Sequence, residues 1–92
     1  MEPKIAISEY SIENDVILGL KISSRNIETD KWAITHDNTV WDFNLKEFVY
    51  EPMPSNRTDE FINATRKDLI ECTAESFEVI KIFKRQLPCW GL

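Results

Sequence analysis

The spacing of apolar residues changes near Pro52 and Pro54, and this change constrains the fold more than any other feature of the chain. Before the two prolines, apolar and polar residues alternate with a period of two, which is typical of strands with one buried face. After them, apolar residues recur every three or four positions, as they do along one side of a helix. We therefore expect an α+β fold in which an N-terminal sheet packs against C-terminal helices.

The alternating residues predict four to five strands in the N-terminal half. They are Ile5 and Ile7, then Val16, Leu18, Leu20 and Ile22, then Trp32 and Ile34, then Trp41 and Phe43, and finally Phe48 and Tyr50. Asp37 and Asn38, between His36 and Thr39, indicate a hairpin because both residue types tolerate a positive φ, and residues 43–46 indicate a second turn. Such short connections predict an antiparallel meander with one face under the helices and the other in water.

Two helices are expected after the prolines. The first runs over residues 57–65, with Asn56 as its cap, and the second begins near Thr73 and runs toward Leu87. The second helix places Phe77, Ile80 and Phe83 on its packed side, carries Lys81, Lys84 and Arg85 in its last turn and ends at Pro88. Residues 66–72 are ambiguous between a break and one longer helix, and we favour a break.

Length and composition indicate a single domain over residues 1–92. Hydrophobic residues make up 42% of the chain, which contains only two glycines, and this composition is typical of a packed domain. No apolar run is long enough to cross a membrane and the N-terminus lacks the pattern of a signal peptide, so we expect a cytoplasmic protein. Cys72 and Cys89 are then expected to be reduced thiols.

Catalytic and metal-binding patterns are missing from the sequence. His36 is the only histidine and has no local nucleophile signature, and Gly19 and Gly91 are too isolated to build a nucleotide-binding loop. No cysteine, histidine or carboxylate spacing matches a known metal site. Trp32 and Trp41 are interpreted as core residues. We expect no enzymatic activity, no cofactor and no metal.

Net charge is concentrated in the first half of the chain. Residues 1–51 contain ten acidic and five basic side chains, whereas residues 52–92 contain six of each. The first half lacks a basic cluster, which argues against direct binding of nucleic acid. Nine acids are expected at strand ends, turns and outward positions, where many of them can share one partner-binding surface: Glu9, Glu13, Asp15, Glu28, Asp30, Asp37, Asp42, Glu47 and Glu51. The alternative is an ordinary solvated acidic face.

One segment resembles small host-takeover proteins of tailed bacteriophages. Residues 41–61 read WDFNLKEFVYEPMPSNRTDEF, a strand, a double-proline turn and a capped helix. With its length and acidity, the chain is similar to the anti-restriction nuclease proteins of T4-like phages. That resemblance implies a homodimeric DNA mimic in the host bacterial cytoplasm, whose acidic surface blocks a restriction nuclease or another host DNA-binding protein. It implies no particular site residue, and the basic end of the second helix should face away from a DNA-like surface.

A second hypothesis is a phage-type interaction module or regulator that binds a host protein through an apolar patch. Trp90 and Leu92 are the candidates for that patch because the chain ends on apolar residues. Binding of this kind should depend little on salt, whereas binding through carboxylates should weaken steeply as salt rises. The sequence leaves open the partner, the dimer interface and whether the acids converge.

Overall fold

A computed structural model describes residues 8–26 and 28–86 as a five-stranded antiparallel sheet followed by two α-helices. The strands are β1 (Glu9–Ser11), β2 (Lys21–Asn26), β3 (Lys31–His36), β4 (Thr39–Asp42) and β5 (Glu47–Tyr50), and they lie in the sheet in chain order. A short 3-10 helix (Pro54–Asn56) precedes α1 (Asp59–Thr65) and α2 (Leu69–Gln86). The expected α+β meander with C-terminal helices is confirmed.

Both predicted hairpin turns are present. His36 pairs with Thr39, and Asp37 between them has a φ of 54°. In the β4–β5 turn, one carboxylate oxygen of Asp42 accepts hydrogen bonds from the amides of Asn44 and Leu45 at 2.8 and 2.9 Å. These local bonds hold the turn closed, because an Asp side chain replaces the backbone acceptor that a tight turn lacks.

The main core lies between one face of the sheet and α2. Ile22 is paired with Ile34 across β2 and β3, and Trp41 with Phe48 across β4 and β5. Cys72 and Val79 of α2 pack into this cluster and are fully buried. The indole nitrogen of Trp41 donates a hydrogen bond to Glu75 at 2.9 Å, which satisfies its one polar atom.

The opposite face of the sheet is also covered in part, which corrects the expectation of one wet face. Ala33 and Val40 alternate with the core residues, so their side chains point to this second face, yet both are fully buried. The chain returns over them after β5, and the amide of Phe43 donates to the carbonyl of Ala64 at the end of α1. The two helices therefore do not share one face of the sheet.

The connector between the helices is pinned to β3. Trp32 and Lys67 exchange two backbone hydrogen bonds, of 2.7 and 2.9 Å. Register pairs between β3 and β4 cover only Thr35 and His36 of β3, so Lys67 supplies the partner that Trp32 lacks in β4. Buried backbone groups need such partners, and this need fixes where α2 begins.

The predicted strand at Val16 and Leu18 is wrong. Both the oxygen and the nitrogen of the Asn14 side-chain amide are engaged: Oδ1 accepts from the amides of Val16 and Ile17, and Nδ2 donates to the carbonyls of Ile12 and Ile17. This network folds the chain into a loop that leaves Leu18 81% exposed. Asn-centred turns compete in this way with strand formation.

Both helices begin elsewhere than predicted. The hydroxyl of Thr58, and not Asn56, caps α1 by accepting a hydrogen bond from the amide of Phe61. In α2, the carboxylate of Asp68 accepts from the amide of Glu71 at 2.7 Å, so the helix starts four residues before Thr73. The favoured break exists, but it covers only residues 66–68, because Asp68 caps a helix that begins at Leu69.

The packed side of α2 is also shifted from the prediction. Ile80 and Phe83 pack against the core as expected, but Phe77 is 60% exposed. Cys72, Ser76 and Val79 occupy the buried positions, which turns Phe77 toward solvent. Lys84 and Arg85 lie in the last turn as predicted, whereas Lys81 lies before it. Ile5, Ile7, Leu87, Pro88, Cys89, Trp90 and Leu92 lie outside the described residues.

Two isoleucines test the assignment of the core with one and the same substitution. Ile34→Ala removes a fully buried side chain and should lower the free energy of unfolding by about 3 kcal/mol. Ile70→Ala removes a side chain that is 81% exposed on α2 and should change it by less than about 0.5 kcal/mol, because Ala is also a good helix former. Urea denaturation of both variants measures the difference, and equal losses would contradict the described core.

Candidate acidic surface and arginine cluster

The meander separates the predicted acids into two groups at opposite ends of the sheet. Antiparallel strands joined in order place alternate loops at alternate ends. The β2–β3 loop and the β4–β5 turn therefore lie at one end, with Glu28, Asp30, Asp42 and Glu47. Glu13, Asp15 and Asp37 lie at the other end, in the β1–β2 and β3–β4 connections. The structure thus brings four of the nine together and places three apart from them.

The remaining two acids are paired with cations. Glu9 on the edge strand β1 lies 3.7 Å from the ammonium of Lys21 and accepts from the hydroxyl of Ser23. Glu51 follows β5 and is surrounded by arginines. Glu51 is therefore not available to a cationic partner, and we remove it from the candidate surface.

Two acids at the start of α2, one just before the helix and one in its first turn, join the group at Asp30. Because Lys67 pairs with Trp32, the start of α2 lies beside the β2–β3 loop and brings Asp68 and Glu71 with it. Burial raises the pKa of the nearby Cys72 thiol to about 12, and the charges of Asp68, Glu71 and Asp30 add to that rise. We call the carboxylates of Glu28, Asp30, Asp42, Glu47, Asp68 and Glu71 the acidic end.

The sequence carried a signal for Asp68 but not for its position. Asp68 is of a residue type that commonly caps helices, whereas the pairing of Lys67 with β3 has no sequence signature. Backbone pairing of a single connector residue depends on the tertiary fold and leaves no periodicity to detect.

The six carboxylates of the acidic end have no ion-pair partner among the described residues. Within residues 8–26 and 28–86, no Lys, Arg or His nitrogen approaches any of them to 4.0 Å. Asp30, Asp42 and Asp68 each use one oxygen in a local hydrogen bond, to Trp32 Nε1, to the β4–β5 turn and to the start of α2. Their second oxygens have no protein donor in the described part of the chain, so they remain available to a partner.

Some basic side chains lie near the acidic end, and others lie at the far end of α2. Lys31 lies next to Asp30, and Lys67 extends over the ring of Phe43 at 5.8 Å. Lys84 and Arg85 lie in the last turn of the 18-residue helix α2, about 25 Å from its start. The basic helix end thus lies far from the acidic end.

Glu51 connects three arginines from separate segments on the second face of the sheet. Its Oε1 accepts from Arg66 Nη2 at 2.6 Å and its Oε2 accepts from Arg25 Nη2 at 3.1 Å. Arg57 lies 3.8 Å from Oε1 and donates through Nε to the carbonyl of Pro52. One carboxylate therefore ties β2, the segment before α1 and the connector before α2 to the end of β5.

Charge and burial act against each other in this cluster. Burial alone would raise the pKa of Glu51, but the hydrogen bond from Arg66 and the charges of Arg25, Arg66 and Arg57 together hold that pKa below its usual value. Burial lowers the pKa of Arg66, the charges of Arg25 and Arg57 lower it further, and Glu51 opposes this shift. The cluster contains more positive charge than its carboxylate neutralises.

His36 contacts one carboxylate and one aromatic ring. His36 Nε2 lies 3.6 Å from Asp37 Oδ2, and its ring packs on Phe48 with centroids 5.6 Å apart. The described residues contain no cluster of three or more His, Cys, Asp or Glu side chains that would hold a metal ion. Among their helices, none has the length and apolar character needed to cross a bilayer.

Substitution of Glu51 tests the arginine cluster. Glu51→Gln should lower the free energy of unfolding at pH 7 by about 2 kcal/mol, because it leaves three guanidinium groups without their counter-charge in a partly exposed site. The folded-state pKa of Glu51 is lowered, so its charge stabilises the protein above the unfolded pKa near 4.5, and this contribution is lost as pH falls below that value.

Glu47→Gln is the matched control, because Glu47 is exposed and has no ion pair among the described residues. Urea denaturation between pH 3 and pH 7 measures the free energy of unfolding of both variants, and the difference between them should become smaller as the pH falls. If the two free energies are equal at pH 7, or differ more toward pH 3, Glu51 does not hold the cluster.

Comparisons with known proteins complete the description of the site. Searches against protein-family models, curated proteins and solved structures find no match to this chain. They therefore give it neither a family nor a function. Any proposed function depends on the acidic end and the arginine cluster themselves.

Proposed function

We propose that this protein is a non-enzymatic inhibitor that uses its acidic end to bind a DNA-binding protein of a bacterial host. The observation that carries this proposal is a group of six carboxylates at one end of the sheet that form no ion pair in the described part of the chain. A cleft that binds DNA presents Lys and Arg side chains to phosphates, and carboxylates arranged on a rigid surface can occupy the same cations. Competition with DNA would then be the mechanism of inhibition.

Backbone geometry supports this use of the acidic end. Asp42 and Glu47 lie at the two ends of the β4–β5 turn, which hydrogen bonds to Asp42 close. Asp68 and Glu71 lie at the start of α2, which the Asp68 cap and the pairing of Lys67 with Trp32 hold in place. A surface that is already rigid loses little conformational entropy when it binds. Because the sequence resembles the anti-restriction nuclease proteins of T4-like phages, we propose a restriction nuclease as the target. A homodimer in the host cytoplasm remains a prediction.

An apolar stripe on α2 keeps the second hypothesis open. Ile70 and Phe77 are exposed on one side of the helix, where Leu69, Thr73 and Ala74 line an open apolar groove between them. The proposed tail patch of Trp90 and Leu92 lies outside the described residues. Exposed aromatic and aliphatic pairs of this kind can contribute to protein interfaces, whose strength depends little on salt.

Two triple variants with the same charge change test the acidic end. E28Q/D30N/E71Q neutralises three carboxylates of the acidic end, and E13Q/D15N/D37N neutralises three at the opposite end of the sheet. Amide side chains keep the size of the acids, and Asn at position 30 keeps an oxygen for the Trp32 hydrogen bond. Each immobilised variant and the parent protein are used to capture proteins from a DNase-treated bacterial lysate.

We expect the parent and the opposite-end variant to capture DNA-binding proteins that duplex DNA releases. The acidic-end variant should retain at most about a tenth as much, and release by salt should rise steeply between 50 and 200 mM, as for contacts to phosphate. Equal capture by both triple variants would contradict the proposal. If neither duplex DNA nor salt releases the captured proteins, and the I70S/F77S variant no longer captures them, binding occurs through the apolar stripe instead.

A further inference from the structure

The three arginines around Glu51 also line a cavity of about 200 Å³ on the second face of the sheet. Its lining residues are Arg25, Asn26, Lys31, Arg57, Ile62 and Arg66. Four of the six are cationic, although the chain as a whole carries a net charge of −5. Within the described residues, Glu51 is the one carboxylate within 4.0 Å of any of these four cations. The cavity and its counter-ion therefore carry a net charge of +3.

Many hydrogen-bond donors of this cavity have no acceptor among the residues that the structure describes. Each guanidinium has five N–H donors. Arg25 and Arg57 each donate one hydrogen bond to a protein acceptor and Arg66 donates two, whereas the ammonium of Lys31 donates none among the described residues. Arg25 Nε is shielded from solvent and has no acceptor in that part of the chain, which is costly for a buried donor.

We propose that this cavity binds a phosphate group, as the free anion or as the terminal group of a small phosphorylated molecule. A tetrahedral dianion offers several oxygens to guanidinium groups that arrive from three segments, and its charge matches the excess of the site better than a single carboxylate does. The volume is below that of usual cofactor pockets, which favours a small anion.

The surroundings of the cavity argue against an extended polyanion. Lys31 follows Asp30 in the chain, and the β2–β3 loop also contains Glu28, so the segment that supplies Lys31 to the cavity also carries two carboxylates. A nucleic-acid strand that placed one phosphate in the cavity would bring its neighbouring phosphates toward these carboxylates. A small anion avoids this repulsion.

A bound phosphate would also stabilise the fold. Arg25 belongs to β2, Arg57 precedes α1 and Arg66 lies in the connector before α2, so an anion between them would add a contact among the same segments that Glu51 joins. Any ligand that binds only the folded state raises the unfolding temperature. This binding does not depend on the acidic end having a protein partner.

Titration of the full chain with sodium phosphate tests the site. Amide NMR spectra and the unfolding temperature are recorded from 0 to 20 mM phosphate, with sodium chloride added to hold the ionic strength constant. We expect saturable shifts at residues 25, 26, 31, 57 and 66 and a rise of several degrees in the unfolding temperature. Lys31→Gln should weaken the affinity roughly tenfold, because it removes a charged donor that holds no protein contact among the described residues.

Lys84→Gln is the matched control, since it makes the same charge change in the last turn of α2, and it should leave the affinity unchanged. Adenosine 5′-monophosphate, used as a phosphate monoester, should shift the same amides. The proposal is overturned if no shift saturates by 20 mM, or if Lys31→Gln and Lys84→Gln weaken binding equally. It is also overturned if a short single-stranded oligonucleotide binds these residues more tightly than both phosphate probes.

Discussion

The carboxylate of Glu51 is the contact on which the arrangement of the second half of the chain depends. Its two oxygens hold Arg66 and Arg25, and Arg57 lies beside them. These arginines come from β2, from the segment before α1 and from the connector before α2, which are far apart in sequence. A paired carboxylate in a partly buried site costs desolvation, but it fixes one relative position for the segments it joins.

Placement of the connector then determines what the protein can present to a partner. With Arg66 held on the second face, its neighbour Lys67 is aligned to pair with Trp32, and α2 starts beside the β2–β3 loop. Asp68 and Glu71 are carried to the loop that contains Glu28 and Asp30. The same arrangement that collects carboxylates at one end collects guanidinium groups in the neighbouring cavity, so a chain of modest net charge contains two surfaces of opposite sign.

Periodicity predicted the sheet and the existence of the helices because it reports local burial. The alternation at Trp32 and Ile34, and at Trp41 and Phe43, follows from a backbone with one buried face. It failed at Val16 and Leu18, where the side chain of Asn14 makes four local hydrogen bonds and imposes a loop. Spacing alone also could not distinguish Phe77 from the truly packed residues of α2, because several apolar residues share that helix.

The candidate sites were less predictable than the fold. The predicted meander already implies that successive turns lie at opposite ends of the sheet, but exposure alone does not separate the acids, and so Asp37 was grouped with Asp30. Glu51 was assigned to the acidic surface because its three arginine partners lie up to 26 residues away. The cationic cavity had no signature at all, since Arg25, Lys31, Arg57 and Arg66 are scattered among acids and come together only through the tertiary fold.

Separation of charge between the acidic end and the cationic cavity is the central claim, and near-surface potentials measured by NMR test it most directly. Paramagnetic co-solutes of opposite charge relax amide protons according to the local sign of the potential. We expect the cationic co-solute to accumulate at residues 28–30, 42–47 and 68–71, and the anionic co-solute at residues 25, 26, 57 and 66. Indistinguishable potentials at these two sets of amides, in a chain that is otherwise folded as described, would contradict the account.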